Sequence, residues 1–153
     1  MPWRADIYAR VSPRLTDRPE GRLFTKAHTW LVRRSGGRIG RFLGADILTL
    51  RTTGRRSGEP RETLVMYVRQ GDSYAVVPSN AASAKTPAWW LNLQADPKAE
   101  VVVRGRPERV RARVASEEEA AEIWPRLVEI YAGFDYYSRL ASRDLPVVLL
   151  EPR

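Results

Sequence analysis

The sequence predicts an α+β barrel of about six short antiparallel strands with helices packed outside it. Short apolar runs are separated by tight glycine-containing turns, which favours antiparallel neighbours over parallel crossovers. Helical periodicity recurs in only three places: before residue 35, after Thr86-Pro87 and after Ser116. The 153 residues, 43% hydrophobic and 29% charged, suit one domain that buries its core without covalent staples.

Along the chain, Leu23, Phe24, Ala27, Trp30 and Leu31 recur at helical spacing, and Lys26, Arg33 and Arg34 stud the stripe. Gly36, Gly37 and Gly40 then mark a loop, so residues 1–45 read as a basic helical extension and 46–153 as the barrel. Ile47 to Thr53 reads as the first strand and Gly54 to Pro60 as a tight connection. Glu62 to Arg69 and Ser73 to Pro78 follow as strands around a turn at Gln70-Gly71-Asp72. Thr86 is placed to cap a short helix with Pro87 at its first position, ending before Asp96-Pro97. Glu100 to Arg104 and Arg109 to Val114 form a hairpin around Gly105, the second strand alternating charged and apolar residues as if wet on one face. Ser116 and Glu119 make a capping box before Ala120, Ile123, Trp124, Leu127, Val128 and Tyr131, and Leu145 to Leu150 closes the chain as a strand.

The net charge of +8 is unevenly placed: residues 1–61 hold 14 Lys and Arg against 5 Asp and Glu, and the rest hold 12 against 13. Such an excess attracts polyanions, whether a phosphorylated cofactor, an anionic membrane or nucleic acid. No apolar run approaches the roughly 18 residues of a spanning helix. With no cysteine, disulfide and thiolate chemistry are excluded, and the expected location is cytoplasmic. His28 is the only histidine, so neither a His/Cys metal site nor a Cys nucleophile is available, and no metal is expected.

Three segments carry candidate chemistry. Thr52 to Arg61 combines two glycines, hydroxyls and three arginines, the donors a phosphate or carboxylate prefers. Between Ser79 and Leu93, small residues leave room for a bulky ligand, while Lys85 and a helix start near Thr86 favour negative charge. At least one of Trp89 and Trp90 packs in the core, because adjacent helix positions point in different directions. Tyr131, Phe134, Tyr136 and Tyr137 cluster after the last long helix, where they can wall a pocket for a flat substrate or pack a core.

Together these segments resemble the deazaflavin (F420)-dependent nitroreductase family, the small actinobacterial F420H2-dependent quinone and ene reductases with a split β-barrel of FMN-binding type. The resemblance runs from Asp46 to Arg153, through Leu48 to Arg61, Pro87 to Pro97, Ile123-Trp124-Pro125 with Ile130-Tyr131, and Leu145 to Pro152. It implies an oxidoreductase that passes a hydride from reduced coenzyme F420 to a small electron-poor acceptor: a quinone, an enone or a nitro compound. It places the anionic cofactor tail on Arg55, Arg56, Ser57 and Arg61, with Arg51, Thr53, Gly54 and Gly58 beside them. Ser79, Asn80, Lys85, Ala88, Trp89 and Asn92 would border the phosphate and ring. Tyr67, Tyr131, Phe134 and Tyr137 would face the substrate, with Tyr137, Tyr131 or Ser79 polarising it or donating a proton. Family members often carry Ser-Lys-Gly-Gly where this chain has Ser79-Asn80-Ala81-Ala82, and a tyrosine at the place of Phe134. Two alternatives stand beside this reading: a split barrel that binds FMN or another ligand, and a basic anion- or membrane-binding module without catalysis. The partners expected are a small electron acceptor and, through the basic N-terminus, an anionic membrane surface; nucleic acid is disfavoured, and the chain would be a monomer or homodimer.

Overall fold

The computed structural model describes residues 19–36, 38–42, 44–80 and 84–153. Helix α1 spans Pro19–Arg34, followed by strands β1 (Arg41–Phe42), β2 (Ala45–Thr53), β3 (Pro60–Met66), β4 (Val68–Gln70) and β5 (Ser73–Val76). Then come α2 (Ala88–Ala95), β6 (Lys98–Val103), β7 (Arg106–Val114), α3 (Glu117–Ile130), α4 (Gly133–Leu140) and β8 (Val148–Pro152). Every strand pairing is antiparallel.

From one edge the strands run β3-β2-β6-β7-β8-β5-β4, with β1 extending the ladder beside the start of β2. The edge strands β3 and β4 are separated in sequence by Tyr67 alone. Two edges joined by one residue force the sheet to curl until they meet, which produces the split barrel. Tyr67 itself still donates its N–H to the Asp46 carbonyl, at 3.1 Å, while Val68 already pairs with Ala75 of β5.

Side chains alternate across a strand, so the curled sheet sorts them into two cores. Inward go Leu48 and Leu50 of β2, Tyr74 and Val76 of β5, Val101 and Val103 of β6, Val110 and Ala112 of β7, and Val148 and Leu150 of β8. Helix α2 closes this interior with Trp89, Trp90 and Leu93. Outward go Ala75, Val77 and Leu149, covered by Ile123 and Leu127 of α3 and by Phe134 and Tyr137 of α4. On β7, by contrast, Arg109, Arg111 and Arg113 face solvent, as the alternation predicts.

The six predicted strands are all present, and the total of eight comes from two features too short to leave a period. The run Glu62 to Arg69 is two strands broken at Tyr67, and β1 is only two residues long. The last strand starts at Val148 rather than Leu145, since Pro146 has no N–H and the ladder is joined only when Ala115 donates to the Val147 carbonyl. Helix α2 starts one residue later than predicted: Pro87 is the cap residue, and no side chain, Thr86 included, caps the helix. Helix α4 was legible only as an aromatic cluster. The stripe on α1 does not pack as a core face: Ala27, Trp30 and Leu31 are exposed and Val32 is buried. Leu23 and Phe24 have side chains outside the described ones, as do residues 1–18 entirely. An Arg33–Glu62 ion pair at 3.5 Å ties α1 to β3. No described helix is long and apolar enough to cross a membrane.

The capping box forms as predicted. The Ser116 hydroxyl accepts from the Glu119 N–H at 3.2 Å, and the Glu119 carboxylate accepts from the Ser116 N–H at 2.8 Å. Arg113 donates two further bonds of 2.7 Å to that carboxylate and one of 2.7 Å to Glu151, tying β7 to α3 and β8. These bonds, Arg113 first, lower the Glu119 pKa from 4.5 to about 2. A depressed carboxyl contributes stability that is complete above its unfolded pKa and lost as pH falls toward its folded one. Wild-type protein should therefore melt at a higher temperature than Glu119→Gln at neutral pH, with the gap closing between pH 4.5 and about 2 in thermal unfolding followed by circular dichroism. Because the pair is exposed, added salt should narrow the same gap.

Candidate active site

The basic segment of the sequence forms the connection from β2 to β3, residues 54–59, and internal bonds hold it in one shape. Gly54 donates to the Glu59 carbonyl at 2.8 Å and Gly58 to the Gly54 carbonyl at 2.7 Å. The Ser57 hydroxyl accepts from the Glu59 N–H at 3.2 Å and from Arg61 at 3.3 Å. A Cβ on Gly54 would lie 2.7 Å from the Ser57 hydroxyl and 3.1 Å from the Glu59 carbonyl, so this tight crossing requires glycine.

Asn92 anchors the loop to helix α2. Its side-chain oxygen accepts from the Arg55 N–H at 3.1 Å and from the Arg55 guanidinium at 3.4 Å, and its NH2 donates to the Thr52 hydroxyl at 3.1 Å. Asn92 is 3% exposed and Thr52 5%. Buried amides are costly unless bonded, so this set of partners leaves Asn92 one geometry and transmits it to Arg55. Arg55, Arg56 and Arg61 are exposed, and among the described residues no carboxylate pairs with them. The loop thus holds unneutralised cations on a rigid backbone.

Ala88 lies one helical turn before Asn92 and is exposed, which extends the same face of α2 toward Lys85. Asn80 adopts φ 43° and donates from its side chain to the Lys85 carbonyl at 2.8 Å. Ala81 and Ala82 lie outside the described residues. Arg143, in the stretch before β8, donates to the Ser79 carbonyl at 3.0 Å. Burial lowers the Arg143 pKa below the ordinary guanidinium value.

The sequence-predicted residues divide into groups. Gly54, Arg55, Arg56, Ser57, Gly58, Arg61 and Asn92 come together at the loop, with Thr53 exposed at its entry. Arg51 is on the outer face of β2, bonded to Glu100 at 2.6 Å and Glu62 at 2.7 Å, which raise its pKa, Glu100 first. Trp89 and Trp90 are both buried, with rings 6.3 Å apart and edge to face. Tyr67 packs inside the barrel against Tyr74, 5.2 Å between centroids, and burial raises its pKa. Tyr131, Phe134 and Tyr137 instead belong to the outer core, so Tyr67 stands apart from them. The Tyr131 and Tyr137 hydroxyls are 2.9 Å apart, and the Tyr131 ring meets Phe134 edge to face at 5.3 Å. Sequence reasoning included Thr52 in the basic segment but not its bond to Asn92, which the inward register it shares with Leu48 and Leu50 could have suggested; it missed Arg143, which is 64 residues from Ser79 and left no signal.

A model of the F420H(2)-dependent quinone reductase family matches residues 24–152. The chain belongs to that family. An F420H(2)-dependent quinone reductase of Mycobacterium tuberculosis (strain ATCC 25618 / H37Rv) is 34% identical over 145 residues, covering 92% of this chain and 97% of the relative. Among solved structures, an F420-H2 dependent reductase (FDR-A) is 31% identical with a TM-score of 0.63, covering 69% of this chain and 93% of its own. A second, described as a domain-swapped dimer, is 26% identical with a TM-score of 0.66, covering 88% and 100%. Family membership agrees with the resemblance read from the motifs, and the family is named for quinone reduction, one of the three acceptor classes that the resemblance implied.

For this member of the quinone reductase family, the Asn92 anchor makes a measurable claim. Asn92→Ala removes the partner of one buried hydroxyl and one backbone N–H and should cost about 1–3 kcal/mol in urea unfolding. The same variant should bind polyanions more weakly than wild type, because Arg55 is no longer held; unchanged stability and unchanged binding would overturn the anchor.

Proposed function

We propose that the protein is an F420H2-dependent reductase of quinone-type acceptors that holds the anionic end of its cofactor on Arg55, Arg56, Ser57 and Arg61. The observation that carries this is the rigid loop whose guanidiniums meet no carboxylate among the described residues and which Asn92 fastens to α2. Its donor set fits a cofactor that carries a phosphate and several carboxylates: guanidiniums bind both by paired hydrogen bonds, and a fixed backbone spares the cost of ordering them. From this loop the exposed Ala88 face of α2 leads to Lys85, Asn80 and Ser79, which would border the phosphate and ring.

When bound, the reduced cofactor supplies a hydride, and a quinone that takes it up together with one proton from water becomes the hydroquinone. The protein's part is to orient the acceptor against the cofactor. Ser79 and the bonded pair Tyr131 and Tyr137 are the polar groups proposed to face the acceptor carbonyl, since a hydroxyl that donates there polarises it without changing protonation state. Phe134 would add an apolar wall against Tyr131.

Titration of the protein with F420 and, separately, FMN, read by tryptophan fluorescence, tests the cofactor. F420 should quench at micromolar concentrations or below and FMN far more weakly, because FMN carries one phosphate and no carboxylate tail. Arg55→Ala with Arg56→Ala should weaken F420 about 10–100-fold, the loss of two charge-assisted contacts. Equal binding of the two flavins, or an unaffected double variant, would defeat the assignment.

Self-association is a second reading. Trp30 is 59% exposed and Leu31, next to it on α1, 48%, with the Arg34 guanidinium 5.5 Å over the Trp30 ring. Adjacent exposed apolar side chains of this size suit an interface, and a structural relative is described as a domain-swapped dimer. We propose that a second copy covers Trp30 and Leu31. Light scattering should give twice the chain mass for wild type and the single-chain mass for Trp30→Glu.

A further inference from the structure

Helices α3 and α4 are joined by Tyr131 and Ala132 alone, and main-chain bonds fix the turn between them. The Tyr131 N–H donates to the Leu127 carbonyl at 3.0 Å, and the Phe134 N–H donates to the Tyr131 carbonyl at 3.1 Å. Across this turn the Tyr131 ring folds back over Gly133, the buried first residue of α4. A Cβ on Gly133 would lie 2.4 Å from Cε1, 2.5 Å from Cζ and 2.8 Å from the hydroxyl of Tyr131. Carbon atoms in ordinary contact are about 3.5–4.0 Å apart, so any side chain at this position would drive the ring away by about 1 Å or more.

The demand for glycine here is steric, not conformational. Gly133 has no positive φ, and as a helical residue its backbone suits alanine, which loses less entropy on folding than glycine. The ring is held on its other sides. Phe134 meets it edge to face at 5.3 Å, and the Tyr137 ring is 5.9 Å away. Gly133 and Tyr137 are four residues apart on α4 and so share one face, which is why a ring laid over Gly133 carries its hydroxyl to that of Tyr137, 2.9 Å away. Hydroxyl pairs bond at about 2.5–3.0 Å, so a displacement of about 1 Å separates this one.

Resting on the reading that Tyr131 and Tyr137 meet the acceptor, we infer that Gly133 is a positioning residue for quinone reduction. It is the notch in α4 that seats the Tyr131 ring with its hydroxyl against that of Tyr137, and it acts only through that ring.

The experiment places Gly133→Ala in two backgrounds, wild type and Tyr131→Leu, whose shorter side chain ends before the atoms that clash. With F420H2 and a naphthoquinone, Gly133→Ala should lower kcat/KM of the wild type about 10–100-fold, chiefly in kcat, the effect of misplacing a group at the acceptor by about 1 Å. F420 affinity should stay within about twofold, and in Tyr131→Leu the same substitution should change kcat/KM by less than about twofold, because the two residues act as one unit. Urea unfolding repeats the comparison without cofactor: Gly133→Ala should lower the midpoint in wild type and leave it unchanged or raised in Tyr131→Leu. If Gly133→Ala does not fold, Gly133→Ala with Tyr131→Leu should still fold as Tyr131→Leu does. Unchanged kcat/KM in Gly133→Ala, or the same loss in both backgrounds, would overturn the assignment. If the urea midpoints show the coupling but F420H2 reduces no quinone, the seat stands and the reductase reading falls. If quinones are reduced and Gly133→Ala costs as much in Tyr131→Leu as in wild type, the reductase reading stands and the seat falls.

Discussion

The architecture depends on one constraint: Tyr67 is the only residue between the strands that form the two edges of the sheet. A sheet whose edges are covalently joined cannot lie flat, and the natural twist of strands supplies the direction of curl. Once curled, it encloses an interior that side chains must fill. Tyr67 takes part in that filling, packed edge to face on Tyr74, whose hydroxyl donates to Glu108 at 2.8 Å while Arg69 lies 4.2 Å over its ring. Burial and the Glu108 bond push the Tyr74 pKa up to about 12, so this phenol stays protonated as a fixed donor inside the barrel wall.

The position of the candidate site follows from how the interior is closed. Helix α2 is apolar on most of its surface because Trp89, Trp90 and Leu93 fill the barrel. A polar residue on such a helix is expensive unless satisfied, and among the described residues Asn92 is satisfied by the β2 end at Thr52 and the loop at Arg55. Core packing and the placement of the basic loop are therefore the same event. Glu62 and Glu100 hold Arg51 on the outer face, whereas Arg55, Arg56 and Arg61 have no such acids among the described residues. The difference separates arginines that stitch strands together from arginines that remain available to a ligand.

The second core gathers the aromatic residues proposed to meet the acceptor. Strands β5 and β8 are buried on both faces, and α3 and α4 cover the outer one. This packing gathers Tyr131, Phe134 and Tyr137 on one side of the sheet wall and leaves Tyr67 on the other. Arg143 links the stretch after α4 to the loop that carries Ser79 by a hydrogen bond to the Ser79 carbonyl.

Much was legible in the sequence because it was local. The alternation from Arg109 to Val114, the Ser116–Glu119 capping box and the glycines of the basic loop each express a rule spanning a few residues, and each appears where the pattern put it. The family, too, could be read from ordered motifs. What the tertiary structure alone decided is long-range: the break at Tyr67, the pairing of Asn92 with residues about 40 positions earlier, the engagement of Arg51 by two acids, and the contact of Arg143 with Ser79. Periodicity reports which way a side chain points from its own element, but not what stands opposite it. That depends on where the curled sheet brings distant residues together, and so does the chemistry of the site.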